Sequence, residues 1–143
     1  MILKLRQRMA QEESGFTLVE LLVVMLILGI LAAIAIPAFL NQREKANDAD
    51  AKADVNTAQQ AMETYQTDNN GSYLGAVEGD LTTIEPALQN ADLAVTGVTA
   101  TGYTVTVTAD STDRDFSVTN DAGALSYPCT PDGGGCSGGF WKQ

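Results

Sequence analysis

The chain has 143 residues, with 18 acidic and eight basic side chains, a formal net charge of −10 and no histidine. Without histidine the commonest general base and zinc ligand is missing, and the sequence contains no nucleophile motif and no phosphate-binding glycine loop, so it offers no case for an enzyme or for a bound cofactor. A surface this acidic also argues against direct nucleic-acid binding, because that function requires clustered lysine and arginine.

Residues 1–14 form a short basic stretch that contains Lys4, Arg6 and Arg8. Its net charge is +1, whereas the remainder of the chain carries −11. Because positive residues are retained in the cytosol, this asymmetry predicts a cytosolic N-terminus and a translocated acidic remainder.

The segment from Phe16 to Leu40 contains 25 residues, of which only Thr17 and Glu20 are polar. As a helix it would measure about 37 Å, enough to cross a hydrocarbon core of about 30 Å. Glu20 is the anomaly in this segment. A carboxylate in lipid is costly and usually has a partner, yet the apolar segment around Glu20 offers none.

Two ordinary membrane-targeting segments are alternatives for this stretch. A secretory signal would use a small-residue cleavage site at Ala33-Ile34-Ala35, and a plain signal anchor would remain uncut. An apolar run of about 16 residues before that site exceeds the usual 7–15, and neither alternative explains Glu20.

The run Gly15-Phe16-Thr17-Leu18-Val19-Glu20, followed by a long apolar helix, resembles the processing motif of type IV pilins and type II secretion pseudopilins. The resemblance is dense over residues 15–41 and looser to about residue 75, where the run Asn70-Gly71-Ser72-Tyr73 is also similar. Beyond that point only the architecture is shared.

The resemblance implies that a membrane-embedded prepilin peptidase cuts between Gly15 and Phe16 and methylates the new amine of Phe16. It implies that Glu20 then pairs with the N-terminus of a neighbouring subunit. Three parts follow: a leader (1–15), a transmembrane and filament-core helix (16–40) and a periplasmic or extracellular head (41–143). The implied partners are copies of the chain, the peptidase, a platform protein, a motor ATPase and the membrane.

On this interpretation the chain is a single-pass protein of the cytoplasmic membrane before assembly and part of an extracellular or periplasmic filament afterwards. Gly29 and Pro37 are the weak points of the helix, because glycine is a poor helix former and proline removes a hydrogen bond. We expect the helix to kink at Pro37 in the monomer and to melt locally between Gly29 and Pro37 in the filament, as helices of the family can.

From Asn41 the helix is predicted to continue as an amphipathic segment up to Asp68, where Asp68-Asn69-Asn70-Gly71 supplies a stop. One helix over residues 16–68 is therefore expected. Apolar residues recur at steps of four and three and form a stripe at Ala51, Val55, Ala58, Met62 and Tyr65. The acidic residues predicted to lie off the stripe are Asp48, Asp50, Asp54 and Glu63.

The rest of the head is predicted to be a loop with one short helix at Thr82–Gln89, followed by strands. The clearest strand is Tyr103–Thr108, where apolar residues alternate with threonine. The other predicted strands are Leu93–Thr99, Phe116–Thr119 and Ala124–Tyr127. Three or four antiparallel strands across the helical stripe give an α+β fold, the pilin fold of the resemblance.

Cys129 and Cys136 lie close together in a Pro/Gly-rich stretch on the translocated side of the chain. That placement favours a short-loop disulfide over two free thiols. Phe140 and Trp141 follow, and they are predicted to fold back onto the sheet or, alternatively, to form an exposed subunit contact.

Asp110, Asp113 and Asp115 share one strand-connecting loop and are weak candidates to hold calcium, as a head loop does in major pseudopilins. Their spacing does not match an EF-hand, so a solvated acidic turn is preferred and no metal site is predicted. For the whole protein, a pilus subunit is preferred over a major pseudopilin or a competence-type pilus subunit, because the Cys129–Cys136 loop lies near the C-terminus. A secreted or membrane-anchored binding protein is the alternative from another class.

Overall fold

The computed structural model describes residues 15–110 and 112–142, so most of the predicted leader, with Lys4, Arg6 and Arg8, lies outside the described residues. The chain divides into two compact units, residues 1–39 and residues 40–143. Helix α1 (Leu18–Asp68) has 51 residues, and it contributes its first part to one unit and its second part to the other.

Helix α1 begins two residues later than predicted and ends at the predicted residue. Beyond its end the amide of Gly71 donates to the carbonyl of Gln66 at 2.8 Å. Asn70 and Gly71 have positive φ angles of 56° and 82°, which is the left-handed backbone that ends a helix. These contacts confirm the predicted stop. Pro37 lies inside the helix, which continues through it.

The second part of α1 buries the predicted apolar stripe. Its buried residues are Asp48, Ala51, Val55, Ala58, Ala61 and Met62, and Tyr65 packs against the same cluster while partly buried. The placement of Asp48 off the stripe was wrong: it precedes Ala51 by three residues, continues the same helical face and is 1% exposed.

Two short helices stand where one was predicted. Helix α2 covers Glu78–Ile84, and a 3₁₀ helix covers Pro86–Asn90. Pro86 occupies the start of the 3₁₀ helix, because proline is tolerated in a first turn but cannot continue a helix already under way. The proline therefore divides the predicted helix into two. Leu81 and Leu88, one from each helix, are buried in the core.

Five antiparallel strands form one sheet: β1 (Asp92–Thr96), β2 (Gly102–Ala109), β3 (Arg114–Asp121), β4 (Ala124–Ser126) and β5 (Cys129–Thr130). The order is β1-β2-β3-β4, and β5 pairs with the start of β3. The predicted α+β class and antiparallel sheet are confirmed, and the two-residue strand β5 is an addition to the four predicted strands.

One face of the sheet closes the core against α1, because apolar side chains alternate along β2 and β3. Cross-strand neighbours such as Val107 and Phe116, or Val105 and Val118, are all buried. On the opposite face, the hydroxyls of Thr104 and Thr119 hydrogen-bond across the strands at 3.1 Å. The alternation predicted for Tyr103–Thr108 is thus confirmed.

The C-terminal segment is fastened by a disulfide and by one aromatic residue. Cys129 and Cys136 are bonded, with their Cα atoms 5.7 Å apart, as the sequence predicted. The indole Nε1 of Trp141 donates to the carbonyl of Ser117 at 2.8 Å, and its ring meets those of Phe116 and Tyr127 edge-on. Trp141 therefore folds back onto the sheet as predicted, whereas Phe140 is 48% exposed.

Candidate processing and assembly site

The residues just before α1 are non-helical and exposed. Gly15, Phe16 and Thr17 precede the first helical residue, and the side chain of Phe16 is 80% exposed. A Cβ atom added at Gly15 would meet nothing within 4 Å, so the described part of the chain does not itself require glycine there.

Thr17 and Glu20 form a reciprocal capping box at the start of α1. The Oε2 atom of Glu20 accepts from the backbone amide and from the hydroxyl of Thr17, each at 2.8 Å. In return the Oγ1 atom of Thr17 accepts from the amide of Glu20 at 3.2 Å. The expectation that Glu20 has no partner in its own segment was therefore wrong, because the first turn of its helix supplies one.

The apolar side chains from Phe16 to Leu40 are all exposed. The most apolar 18-residue window of α1 has a mean hydropathy of 2.9, and none of it is buried within the chain. By length and composition the helix can cross a membrane. A surface of this size is stable only when lipid or other apolar helices cover it.

Gly29 and Pro37 lie within this exposed segment. Apart from the adjacent residues and the backbone of its own helix, no atom lies within 4 Å of a Cβ built at Gly29, so this glycine leaves open space on the helix surface. Pro37 stands inside a helix that the structure shows as continuous. The two weak points predicted from the sequence are thus both on the outward-facing part of α1.

Comparison with known proteins identifies the family to which the chain belongs. Residues 11–36 match the prokaryotic N-terminal methylation motif, and residues 37–129 match the family of the type IV minor pilin ComP, a DNA uptake sequence receptor. The chain is 38% identical over 121 residues to the type IV wide pilus major component PilA4 of Thermus thermophilus, an alignment that covers 85% of this chain and 84% of that protein. The chain belongs to the type IV pilin and pseudopilin family.

Two further relatives of this pilin-family subunit are type II secretion system core proteins G. The protein of Aeromonas hydrophila is 42% identical over 60 residues, which is 42% of each chain, and that of Pseudomonas aeruginosa is 41% identical over 59 residues, 41% of this chain and 42% of the relative. No solved structure gives a significant match. The family consists of structural filament subunits, so the subunit is a structural protein.

The pilin head contains a buried ion pair that sequence reasoning missed. The carboxylate of Asp48 accepts from Arg114 Nη1 at 2.6 Å, from the hydroxyl of Thr112 at 3.0 Å and from the amide of Gly135 at 2.9 Å. Next to it, Lys52 Nζ donates to the carbonyl of Gly135 at 2.6 Å. Asp48 thus joins α1 to β3, to the β2–β3 turn and to the disulfide loop. The only sequence signal for the burial of Asp48 was its spacing of three residues from Ala51.

A second polar cluster centres on Glu63, whose carboxylate accepts from the hydroxyls of Tyr73 and Tyr103 at 2.9 and 3.2 Å. Burial, followed by the bond to Glu63, raises the pKa of Tyr73 to about 12. Burial and the charge of Glu63 also raise the pKa of Tyr103. Asn120 donates to the Tyr73 hydroxyl at 3.3 Å, so this cluster joins α1, the loop after it, β2 and β3.

The calcium candidates do not come together. In residues 15–110 and 112–142 no group of three or more acidic, cysteine or histidine side chains is placed to hold a metal ion. Asp115 instead accepts from the hydroxyl of Thr108 at 2.8 Å. Asp110 lines a surface depression with Asp50 and Asp54, where burial, and secondly the charge of Asp50, raise the pKa of Asp54.

Proposed function

We propose that the chain is the structural subunit of a type IV pilus, cut between Gly15 and Phe16 and assembled through residues 16–40. The observation that carries the proposal is the wholly exposed apolar surface of this segment with Glu20 in its first turn. Before assembly lipid covers that surface, and in the filament the helices of neighbouring copies cover it. A platform protein and a motor ATPase would drive the transfer.

Processing is supported by the local geometry of the cut site. The bond between Gly15 and Phe16 lies in exposed, non-helical backbone, where a protease can reach it. Nothing in the described fold requires glycine at position 15, and a residue without a side chain there fits a peptidase channel that accepts none. Cleavage creates a positive amine at Phe16, which the same enzyme would methylate. The match of residues 11–36 to the N-terminal methylation motif supports this step.

We assign Glu20 to subunit assembly. Its capping box satisfies hydrogen bonds but contains no cation, so the negative charge of the carboxylate is not neutralised by Thr17. In a filament core of apolar helices an unpaired charge is costly, and the processed amine of a neighbouring copy supplies a counter-charge. Pairing these groups sets the axial position at which one helix joins the next.

A pilus subunit is preferred over a pseudopilin of a type II secretion system. The alignment with the pilus component of Thermus thermophilus spans 85% of the chain, whereas the alignments with the proteins G span about 42%. An alignment of 121 residues must include most of the head, so the pilus relative supports the assignment of the head as well. The disulfide near the C-terminus agrees with this assignment.

A DNA-receptor function is the second candidate, because the family matched by the head is described by that role. The charge of the head argues against it: residues 41–143 contain 15 acidic and five basic side chains. Arg114 and Lys52 are held by Asp48 and by the carbonyl of Gly135. We expect no retardation of duplex DNA by the purified subunit at physiological salt. Retardation that weakens with added salt would favour the receptor function.

N-terminal analysis of the mature protein tests the proposal against a secreted or anchored binding protein. We expect a chain that starts at a methylated Phe16. A start at Ile36, or an intact Met1, would show that the apolar segment is an ordinary signal or anchor.

The role of Glu20 is tested with Glu20→Ala and with the isosteric Glu20→Gln. Both variants are expected to insert into the membrane, because removing a carboxylate lowers the cost of insertion. Both are expected to lose most of the sheared filament yield, because neither can pair with the Phe16 amine. Wild-type filament yield from Glu20→Gln would refute charge pairing.

We also propose that the segment from Gly29 to Pro37 melts when the helix enters the filament. The support is that both residues weaken a helix and that both are exposed. A filament map with continuous helical hydrogen bonding through residues 30–37 would exclude it.

A further inference from the structure

The capping box lies between the proposed cut site and the apolar helix. Residues Gly15–Thr17 are outside the helix, and the first helical hydrogen bond of the described chain runs from the amide of Leu21 to the carbonyl of Thr17 at 3.3 Å. The scissile carbonyl is that of Gly15, four residues before the amide of Val19. If the helix started two residues earlier, that amide would bond to the scissile carbonyl.

Thr17 has the features of an N-cap that sets where the helix starts. Its hydroxyl accepts from the amide of Glu20, and Glu20 returns two hydrogen bonds to Thr17. Threonine in this position holds its own backbone outside the helix while satisfying the orphan amides of the first turn. The side chain of Phe16 is apolar and 80% exposed, so nothing on it opposes helical geometry.

We propose that Thr17 is a positioning residue for processing, which keeps the Gly15–Phe16 bond outside the helix and therefore open to the peptidase. The inference rests on the proposed function, since it concerns the same cut. An extended bond leaves its carbonyl and amide free for a protease cleft, whereas a helical bond has its carbonyl engaged by the chain.

Loss of the cap is expected to extend the helix towards Gly15 and not to unwind it towards Glu20. Unwinding would expose the amides of an apolar segment to lipid, where unsatisfied backbone groups are costly. Extension satisfies those amides with the carbonyls of Gly15 and Phe16. An N-cap of this kind shifts the equilibrium of the first turn about fivefold, so cleavage is expected to slow about fivefold without it.

The test compares initial cleavage rates of full-length precursors in membrane vesicles with the prepilin peptidase. Thr17→Val keeps the shape of threonine but cannot cap, and we expect cleavage to slow about fivefold. Thr17→Asn has a different shape but caps well, and we expect it to be cut at close to the wild-type rate. Glu20→Gln preserves the capping box without its charge and should also be cut normally.

Amide exchange of Val19, measured by NMR on the full chain in detergent micelles, provides a readout independent of the enzyme. We expect slower exchange in Thr17→Val than in the wild type, because the Gly15 carbonyl becomes an acceptor. Unchanged cleavage and unchanged exchange in Thr17→Val would overturn the proposal, and so would slow cleavage of Thr17→Asn. If instead the wild-type precursor is not cut between Gly15 and Phe16, the proposed function itself fails. A Glu20→Gln chain that is cut normally but does not assemble supports both the role of Thr17 in processing and the proposed function.

Discussion

Replacing Asp48 by alanine is expected to destabilise the head far more than replacing any exposed acidic residue of the same helix. The carboxylate is 1% exposed, and the side chain of its partner Arg114 is 12% exposed. Among the described residues Asp48 is the one carboxylate at ion-pair distance from Arg114, whose Nε is buried without a hydrogen-bond partner there. Removal of Asp48 leaves the Arg114 guanidinium without an ion-pair partner in the part of the chain that the structure describes.

Breaking a buried ion pair by removing one partner costs about 3–5 kcal/mol. A domain of about 100 residues has a total stability of about 5–15 kcal/mol, so the loss is a large share of it. With a shift of about 4–8 °C for each kcal/mol, the Tm should fall by about 12 °C or more. The variant also frees the amide of Gly135 and the hydroxyl of Thr112, and it leaves the bond from Lys52 to the Gly135 carbonyl to hold the disulfide loop on α1.

Trp141 provides the assay, since it is the single tryptophan of the chain and packs against Phe116 and Tyr127 of the head. Denaturation of the full chain in detergent micelles, followed by tryptophan fluorescence, reports unfolding of the head separately from the apolar helix. Asp50→Ala is the matched control, because Asp50 is an exposed aspartate of the same helix.

The double variant Asp48→Ala/Arg114→Met should recover most of the lost stability, because it removes the buried charge as well as its partner. A denaturation midpoint of Asp48→Ala equal to that of Asp50→Ala would refute the reasoning. So would a double variant as unstable as the sum of the two single variants, because the pair would then carry no coupling energy.

Ala122→Asn should stabilise the head by about 0.5–1 kcal/mol, because Ala122 has a φ of 50° in the two-residue β3–β4 turn and Asn-Gly suits that geometry. Ala124→Asn, in strand β4, should give no gain in the same fluorescence-monitored denaturation. The folded-state pKa of Tyr73, about 12, lies above its ordinary value of 10.0. Its contribution to stability is therefore complete below pH 10 and is lost as the pH rises towards 12. Tyr73→Phe should flatten the decline of stability over that range, and an unchanged slope would exclude Tyr73 as its source.

The features predicted correctly from the sequence are those encoded by neighbouring residues. The apolar run after Gly15 determines a long exposed helix, because 25 residues with two polar side chains leave no hydrophilic face. Apolar residues recur at steps of four and three from Ala51 to Met62, which places them on one face of the helix. In β2 apolar residues alternate with threonine, which places them on one face of the sheet. A helix stop at Asn70-Gly71 depends only on local backbone preferences. These signals sufficed for the fold class, and they are also the basis of the proposed cut site.

Contacts between distant parts of the chain could be decided only by the tertiary structure. Asp48 and Arg114 are 66 residues apart, and Glu63 and Tyr103 are 40 apart. A carboxylate on a helix looks the same in sequence whether it faces water or a buried guanidinium, since its partner is brought to it by the packing of the sheet on α1. The same holds for Trp141, whose indole donates to the carbonyl of Ser117, a residue 24 positions earlier in the chain. Thr17, the local hydrogen-bond partner of Glu20, could be identified only from the observed start of α1, because a capping box forms only where the helix begins.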